Sequence, residues 1–366
     1  MSNGKPIISF ARGAPSLDIV DVDGLIAASQ AAFESDPAGL TGYGTSVGYP
    51  PLRAWLAEKH AVAPENVIVT NGSMQADAFL FDALVSAGDT VIVELPTYDR
   101  TLLSLRNRGA EVRMIAMEPD GIDVAELERV LTAGARPKLA HVIPNFQNPA
   151  GYTLSLKKRE RLLDLAGQYG FVVFEDDPYV ELRFSGELLP RMLEMDAERV
   201  VYASSFSKTV CPGIRVGYLV GPRAVIAQVE QLATAAYISP NMVAQGIVNQ
   251  FARSGAVDRS IEKVRAALRE RVGVLARALS RELPEARFVA PEGGYFLWVE
   301  LPHGTDVGAL YQAAKARGVL FVKGTDFVLE GYESTLRLAY SGVTEAEIEA
   351  GIGLLAQAYR EVTAGG

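Results

Sequence analysis

The sequence contains few of the residues that several common catalytic sites need. Among its 366 residues Cys211 is the only cysteine, so no disulfide can form within the chain, and a reducing, cytoplasmic compartment is expected. Three histidines, His60, His141 and His303, lie far apart without metal-ligand spacing, and the apolar run around His141 is typical of a satisfied core imidazole. The sequence therefore predicts no metal site, and it argues against a serine–histidine–aspartate hydrolase.

Long apolar runs and an excess of positive charge are also absent. No uninterrupted apolar stretch approaches the roughly 20 residues that cross a bilayer, and the N-terminus lacks the apolar segment of a signal peptide. The net charge of −9 provides no electrostatic footprint for nucleic acid or an anionic membrane. We therefore expect a cytoplasmic protein whose partners are small molecules, with neither nucleic acid nor membrane among them.

Phosphate loops of nucleotide-binding folds are missing as well. The chain has no Gly-x-x-x-x-Gly-Lys-Ser/Thr motif. Gly42 and Gly44 lack the third glycine of a Gly-x-Gly-x-x-Gly motif, and they do not follow a strand. These patterns disfavour a nucleotide-binding fold.

From residue 67 onwards the chain alternates short apolar runs with amphipathic stretches. Strands are predicted at 67–70, 90–94, 111–117, 139–143, 171–174, 200–203 and 215–220, and helices at 73–84, 101–108, 124–131 and 156–169. Strands that alternate with helices in this way form largely parallel sheets covered on both faces. The fold class is therefore α/β, with a mostly parallel seven-stranded sheet sandwiched by helices in a large domain.

The last third of the chain has a different, α+β pattern, which indicates a second and smaller domain. A long charged helix is predicted at 258–282. Further strands are predicted at 288–290, 295–301, 319–322 and 335–339, and helices at 307–317 and 345–363. We expect a large domain over residues 41–255, and a small domain made of residues 1–40 and 256–366.

Lys208 lies in a loop rich in hydroxyl groups, seven residues before Arg215. A lysine amine is a poor nucleophile until desolvation or a nearby cation lowers its pKa, so lysines that bind aldehydes need an enclosed setting. Serine hydroxyls and Arg215 are suitable donors to a phosphate. Taken alone, however, this segment fits a solvated loop lysine better, because most lysines are surface residues.

Three further polar segments follow predicted strands, at the sheet edge where α/β folds bind ligands. Asn71–Met74 begins a helix and either binds an anion or merely caps that helix. Residues 144–151 form an irregular loop with two prolines, which turn formation alone would explain. The run Glu175-Asp176-Asp177 needs a cation or donor if it is buried, and a protonated pyridine nitrogen suits it better than Mg²⁺ does.

Together these segments offer an amine for an aldehyde, an acid for a pyridine nitrogen, donors for a ring oxygen and a phosphate cradle. In these residues the chain resembles a fold-type I pyridoxal-phosphate enzyme of the class I/II aminotransferase family, in the branch of 2-aminoadipate aminotransferases and MocR effector domains. The resemblance covers nearly the whole chain. It implies pyridoxal 5'-phosphate as the cofactor and a homodimer as the active form.

The resemblance also implies roles for individual residues. Lys208 would be the Schiff-base lysine and proton carrier, Asp176 would keep the pyridine nitrogen protonated, and Tyr179 would donate to the ring oxygen together with Asn148. Tyr98 would stack on the ring. The phosphate site would comprise Gly72, Ser73, Met74, Ser205, Ser207 and Arg215, with Tyr43 from the neighbouring subunit. Gly13, Asn148 and Arg337 would bind substrate, with Arg337 holding the α-carboxylate.

Some positions depart from the family pattern. Lys323-Gly324 stands where Pro-Gly is usual, Ala150 stands where threonine is common, and Cys211 replaces a small apolar residue and is interpreted as a packing residue. No clear second arginine for a side-chain carboxylate is found, although Arg12 and Lys323 are candidates. The specificity of some relatives for acidic substrates is therefore not transferred to this chain.

We predict an aminotransferase that moves an amino group between an L-amino acid and a 2-oxo acid through Lys208. One alternative keeps the cofactor but is a lyase, racemase or synthase. A second is a ligand-sensing module like that of MocR regulators, which is disfavoured because the chain leaves no room for a DNA-binding region and carries the wrong charge.

Overall fold

The structure, a computed structural model, describes residues 7–364. The strands are β1 Ile8–Ser9, β2 Val67–Thr70, β3 Thr90–Leu95, β4 Glu111–Glu118, β5 Gly121–Ile122, β6 Leu139–Val142, β7 Val172–Asp176, β8 Val200–Ser205, β9 Gly217–Val220, β10 Phe296–Glu300, β11 Val319–Leu320, β12 Val322–Lys323 and β13 Thr335–Ala339. The helices are α1 Val22–Ser35, α2 Pro37–Thr41, α3 Pro50–Lys59, α4 Ser73–Leu84, α5 Asp99–Asn107, α6 Val124–Thr132, α7 Leu156–Tyr169, α8 Met192–Met195, α9 Arg223–Ala236, α10 Met242–Arg253, α11 Ala256–Glu282, α12 Val307–Ala316 and α13 Glu345–Ala364.

The main sheet has the strand order β2-β9-β8-β7-β6-β3-β4-β5. The strands from β8 across to β4 pair in parallel, whereas β9 is antiparallel to both of its neighbours. All seven predicted strands are present, and the two-residue β5 adds an eighth at one edge. The expected α/β class with a mostly parallel sheet is confirmed.

Helices cover both faces of this sheet, which explains why its strands consist of continuous apolar residues. Side chains alternate between the faces of a strand. In β2, Val67 and Val69 therefore join one core, whereas Ile68 joins the core on the other side, under α4 and α9. All three side chains are fully buried. A parallel sheet with both faces covered requires this pattern.

A second body follows α11, and it also has its own core. Its sheet has the order β10-β13-β12, with antiparallel pairing throughout, and α12 and α13 pack with it. Helix α11 has 27 residues and joins the two cores: Ile261 lies in the first, and Leu268 and Leu275 lie in the second. The α+β pattern predicted for the last third of the chain is present.

Two strand predictions in this part are wrong. Residues 288–290 do not form a strand, and the two bridges on either side of them, Arg287 with Glu300 and Gly293 with Arg183, are isolated. The strand predicted at 319–322 is split at Phe321, because β11 pairs with β1 whereas β12 pairs with β13. One continuous strand could not follow both neighbours.

The domain limits at residues 40 and 255 stay a prediction. Helix α1 packs against α10, and its buried Ala28 and Ala32 belong to the core of the main sheet. We therefore propose that the N-terminal part of the small domain ends before α1. Within the described residues, no helix combines the length and the apolar character that crossing a membrane requires.

Candidate active site

A cavity of about 440 Å³ lies at the carboxyl ends of β7 and β8, between the two bodies. This is the edge at which α/β sheets bind ligands. Most of the predicted site residues line it: Gly13, Ser73, Met74, Tyr98, Asn148, Asp176, Tyr179, Ser205, Ser207, Lys208, Arg215 and Arg337. The fold thus brings seven separate segments, which lie up to 324 positions apart in the sequence, to one space.

Lys208 projects into this cavity from the loop after β8. Its Nζ donates a hydrogen bond to the Gly13 carbonyl oxygen at 2.8 Å, and lies 5.4 Å from the ring centre of Tyr295. Burial, followed by the charges of Arg337 and Arg215, lowers the pKa of this amine to about 8. A side chain on Gly13 would collide with the Phe296 ring, so glycine lets this carbonyl reach the amine.

The three carboxylates that follow Phe174 point in different directions because β7 extends to Asp176. Asp176 faces the cavity. Glu175 lies on the other face, where it accepts hydrogen bonds from the backbone nitrogens of Met192 and Leu193, each at 2.9 Å. Asp177 also turns away and accepts a hydrogen bond from Asn145. Strand alternation thus leaves only the middle carboxylate for the site.

Asp176 has one oxygen in a hydrogen bond and one without a partner. Its Oδ2 lies 3.3 Å from His141 Nε2, whereas its buried Oδ1 has no hydrogen-bond partner. His141 is fully buried, as its apolar run predicted, but its contact with Asp176 was not foreseen. That contact depends on the pairing of β6 with β7, which the sequence does not state.

The first turn of α4 and the end of the lysine loop meet at one side of the cavity. Gly72 has φ = 89°, a left-handed conformation that disfavours other residues, and a side chain there would collide with the Arg215 guanidinium. Arg215 Nη1 donates to the Ser207 hydroxyl at 3.3 Å, and Nη2 donates to the Asn71 carbonyl at 3.4 Å. Free amides of a helix N-terminus therefore lie beside a guanidinium and hydroxyl groups, which suits a phosphate.

Arg337 lies in the middle strand of the small sheet, at the opposite side of the cavity, and is only 6% exposed. Its guanidinium donates to Asn148 Oδ1 at 2.7 Å and to the Ala11 carbonyl at 2.6 Å. Its Cζ lies 4.3 Å from the Phe296 ring centre and 4.9 Å from that of Phe327. These contacts fix a fork-shaped donor in one orientation, and burial lowers its pKa to about 10, so it stays charged near neutral pH.

Two tyrosines, Tyr98 and Tyr179, also line the cavity. Burial is the largest of the effects that raise the pKa of Tyr98 to about 12. Burial also raises the pKa of Tyr179 well above its ordinary value. Both therefore keep their protons and can donate hydrogen bonds. The Tyr179 ring also packs edge-on against Phe296.

Some predicted residues lie outside the cavity lining. Tyr43 is 86% exposed and does not line the cavity of its own chain, and Gly72 lies just behind the lining. Of the two candidate cations, Arg12 lines the cavity, whereas Lys323 does not and instead lies 3.4 Å from Asp326. Asp77, which was not singled out in the sequence, also lines the cavity.

The residues present fit pyridoxal phosphate. The unpartnered Asp176 Oδ1 is an acceptor for a ring N–H, the Lys208 amine suits an aldehyde, and the α4 terminus with Arg215 suits a phosphate. Residues 7–364 contain no group of three or more histidine, cysteine, aspartate or glutamate side chains that could hold a metal ion.

The comparisons with known proteins agree with this geometry. The family model for aminotransferase class I and II matches residues 5–355. The aromatic-amino-acid aminotransferase 1 of Thermococcus litoralis is 33% identical, over 97% of this chain and 88% of its own length. The 2-aminoadipate transaminase of Thermus thermophilus is 34% identical, over 98% of this chain and 91% of its own length.

A solved structure is similar over the same extent. The crystal structure of LysN, an α-aminoadipate aminotransferase of Thermus thermophilus, complexed with N-(5'-phosphopyridoxyl)-L-leucine, matches with a TM-score of 0.94 and 33% identity, covering 98% of this chain and 93% of that one. Fold and site define a pyridoxal-phosphate enzyme of fold type I. This chain belongs to the class I and II aminotransferases, in the aminoadipate branch. Its cofactor is pyridoxal phosphate and it transfers amino groups of amino acids, and the relatives do not favour the two alternatives.

A buried carboxyl group beside the site makes stability depend on pH. Glu94 on β3 accepts hydrogen bonds from Ile143 N and Gln147 Nε2 through one oxygen only, and burial raises its pKa to about 8. The folded protein therefore binds a proton that the unfolded chain loses above about pH 4. The free energy of unfolding should fall as pH rises from about 4 to 8, and this contribution should level off above that range.

Glu94→Gln should flatten this dependence. Between about pH 5 and 8, the free energy of unfolding of the variant should fall by at least about 1 kcal/mol less than that of the wild type. Urea unfolding of the cofactor-free protein measures both. Glu111→Gln, at an exposed position on neighbouring β4, is the matched control and should follow the wild type. Equal slopes for Glu94→Gln and wild type would show that Glu94 is ionised in the folded state.

Proposed function

We propose that this aminotransferase acts on L-amino acids with aromatic or long apolar side chains, and that the residues described above divide the work as follows. The amine of Lys208 would hold the cofactor aldehyde and then carry a proton to and from the substrate α-carbon. When bound, the cofactor supplies an electron sink for the electrons of the α-carbon bond. The observation that supports this division is that a desolvated amine, an unpartnered carboxylate oxygen and a buried guanidinium face one cavity.

The remaining roles follow from the positions of the donors. Asp176, oriented by His141, would keep the ring nitrogen protonated. Tyr179 and Asn148 would donate to the ring oxygen, and Tyr98 would cover the ring face. Gly13 lies beside the amine and would border the substrate.

The phosphate would bind at the terminus of α4 and the end of the lysine loop. There Gly72, Ser73 and Met74 supply backbone N–H groups, Ser205 and Ser207 supply hydroxyls, and Arg215 supplies the charge. Exclusion of water from this enclosed space would strengthen each of these interactions.

The substrate class is inferred from the other walls of the cavity. Phe296, Phe327, Ile143 and Val322 give it an apolar lining beside Arg337. An amino acid whose α-carboxylate binds Arg337 would extend its side chain along these residues. One relative is named for aromatic amino acids, which agrees with this apolar lining. The other is named for 2-aminoadipate, whose side chain ends in a carboxylate.

A second candidate is a side chain that ends in a carboxylate, and Arg12 favours it. Arg12 lies at the cavity rim, and within residues 7–364 its side chain has no ion-pair partner. Arg12→Gln should lower kcat/KM for 2-aminoadipate about 10- to 100-fold and change that for phenylalanine less than about 2-fold. Rates with a panel of amino donors and 2-oxoglutarate would measure both.

Lys323→Gln is the comparison variant because Lys323 does not line the cavity. It should leave the ratio of acidic to aromatic substrates unchanged. Equal losses for both substrates in Arg12→Gln would exclude a selective role, and a selective loss in Lys323→Gln instead would assign the carboxylate to that lysine.

We also infer that the active form is a homodimer in which Tyr43 reaches the phosphate of the partner subunit. Tyr43 and Ile238 are 86% and 64% exposed. Tyr237 Oη donates to Ser46 O, which joins their two loops, and Asn241 N donates to Asn71 Oδ1, which joins the second loop to the phosphate end. Exposed apolar residues beside a site indicate an interface. The cytoplasmic location expected from the sequence stays a prediction.

The dimer has its own test. Sedimentation should give twice the mass of the chain, and Tyr43→Phe should weaken cofactor binding about 3- to 30-fold without changing that mass, because one hydrogen bond to a charged group is lost. The control is Tyr311→Phe, on α12 away from the cavity, which should bind cofactor as the wild type does. A monomer with full activity would exclude the proposal.

A further inference from the structure

Asp77 is a buried carboxyl group at the cofactor site that has no role in the proposed reaction. It lies on α4 one helical turn after Met74, is 8% exposed and lines the same cavity as Asp176. Its Oδ1 is buried without a hydrogen-bond partner. Two nearby residues of α4, Ala76 and Leu80, are apolar and fully buried. A carboxylate without a donor is costly in such a setting, and this cost calls for an explanation.

Asp77 lines the same cavity as Asp176 and is affected by its charge. Burial first, and the Asp176 carboxylate second, raise the pKa of Asp77 well above its ordinary value. Both carboxylates also contribute to the raised pKa of Tyr98, whose hydroxyl contacts the Met74 sulfur at 3.9 Å. Each of the two carboxyl groups has an Oδ1 without a partner. A buried carboxyl group that has no donor and lies near a carboxylate favours its protonated form, so we expect Asp77 to keep its proton in the cofactor-free protein.

Of the nearby charges, the Lys208 ammonium acts on Asp176, but no described cation forms an ion pair with Asp77. Charged and titratable groups from two other parts of the chain line the cavity together with these two carboxyl groups. They are Tyr98, Asp99 and Arg100 at the start of α5, and Lys208 and Arg215 on the loop after β8. Arg100 is exposed and paired with Asp99 at 3.5 Å, and the ion pairs of residues 7–364 include none to Asp77. Of the two carboxyl groups, His141 on β6 contacts Asp176, and its ring also packs against Phe81 and Phe174. From β2, β9 and α9, which also pack on α4, no described residue lines the cavity.

We propose that Asp77 holds a proton in the cofactor-free protein, and that it releases this proton to solvent when the protonated ring nitrogen of pyridoxal phosphate binds beside Asp176. A cation at this place would stabilise the ionised form of Asp77. Asp77 is then a positioning residue that acts through Asp176. Without cofactor its protonated form avoids repulsion by the Asp176 carboxylate, and with cofactor its ionised form would add a negative charge to the part of the cavity that holds the ring nitrogen.

This coupling makes cofactor affinity depend on pH. If one proton leaves on binding, affinity rises up to about tenfold per pH unit in the range where Asp77 is protonated in the free protein. A carboxyl group with a purely structural role would not change the number of protons released. The proposal rests on the cofactor and does not depend on which amino acid is the substrate.

The test counts protons by calorimetry. The full chain carrying Lys208→Ala is titrated with pyridoxal phosphate between about pH 5 and 7, in two buffers that differ in their heat of ionisation. Lys208→Ala removes the covalent bond, so its protons do not enter the count. The same titration is made with Asp77→Asn added, and with Asp82→Asn added as the control, because Asp82 is an exposed residue of the same helix.

We expect the Lys208→Ala protein and the Asp82→Asn control to release about 0.5 to 1 proton more per site than the protein with Asp77→Asn. Their affinity should also rise more steeply with pH. Equal proton release in all three proteins would overturn the proposal. If Asp77→Asn does not fold, infrared difference spectra of the Lys208→Ala protein decide: loss of a protonated carboxyl C=O band on cofactor binding supports the proposal, and an unchanged band rejects it.

Discussion

Lys208→Ala is expected to reduce transamination by about 10³-fold or more while the protein still folds and binds cofactor weakly. The phosphate and ring sites do not depend on this amine, so uptake should persist at lower affinity. Turnover requires it, because it is the one amine in the cavity with a lowered pKa, and Tyr295 and Gly13 hold its loop and its Nζ in place. The rate of keto-acid formation from an active amino donor measures the loss.

The control for this substitution is Lys315→Ala, an exposed lysine on α12. It should keep the wild-type rate and the wild-type melting temperature. Normal turnover by purified Lys208→Ala protein would refute the role of this lysine, because no second lysine lines the cavity in the described part of the chain.

Arg337→Ala is expected to lower kcat/KM about 10²- to 10³-fold for amino acids and 2-oxo acids alike. Both substrates carry the α-carboxylate, and a buried charge-assisted pair is typically worth about 2–5 kcal/mol when one partner is removed. Arg337→Lys should recover only part of the loss, since an ammonium cannot reproduce the two parallel hydrogen bonds. Steady-state rates at varied concentrations of each substrate give the numbers.

A substrate without the carboxylate separates binding from folding. Slow turnover of a primary amine that lacks the α-carboxylate should be about equal in wild type and Arg337→Ala, because the lost partner is absent from both reactions. A large loss with that amine as well would indicate that the substitution disturbs Asn148 or Ala11, the two groups that accept hydrogen bonds from Arg337.

The sequence predicts the main sheet well because burial of its strands on both faces leaves a strong apolar pattern. The strand at 67–70 and the helix at 156–169 have the predicted limits. Strand β7 differs, because it was predicted to end at Phe174, where the carboxylates begin, but it extends to Asp176 with Glu175 and Asp176 buried in it. Helices α1, α3, α9 and α10 were not predicted, and in α3 the apolar periodicity is weak.

Features set by pairing between distant segments were not predictable in this way. Whether residues 319–322 form one strand depends on β1 and β13, both of which pair with it from other parts of the chain. The contact of His141 with Asp176 depends on the pairing of β6 with β7, and the approach of Asp77 to Asp176 depends on how α4 packs on the sheet. A single carboxylate on an apolar helix face, as at Asp77, is the one local signal that could have suggested it.

The most direct test of the account is to identify the residue that bonds to the cofactor. The purified protein is incubated with pyridoxal phosphate, reduced with borohydride and digested, and its peptides are examined by mass spectrometry. We predict one phosphopyridoxyl group per chain, on the peptide that contains Lys208. An unmodified Lys208 peptide, or an equal adduct on an exposed lysine such as Lys315, would contradict the account.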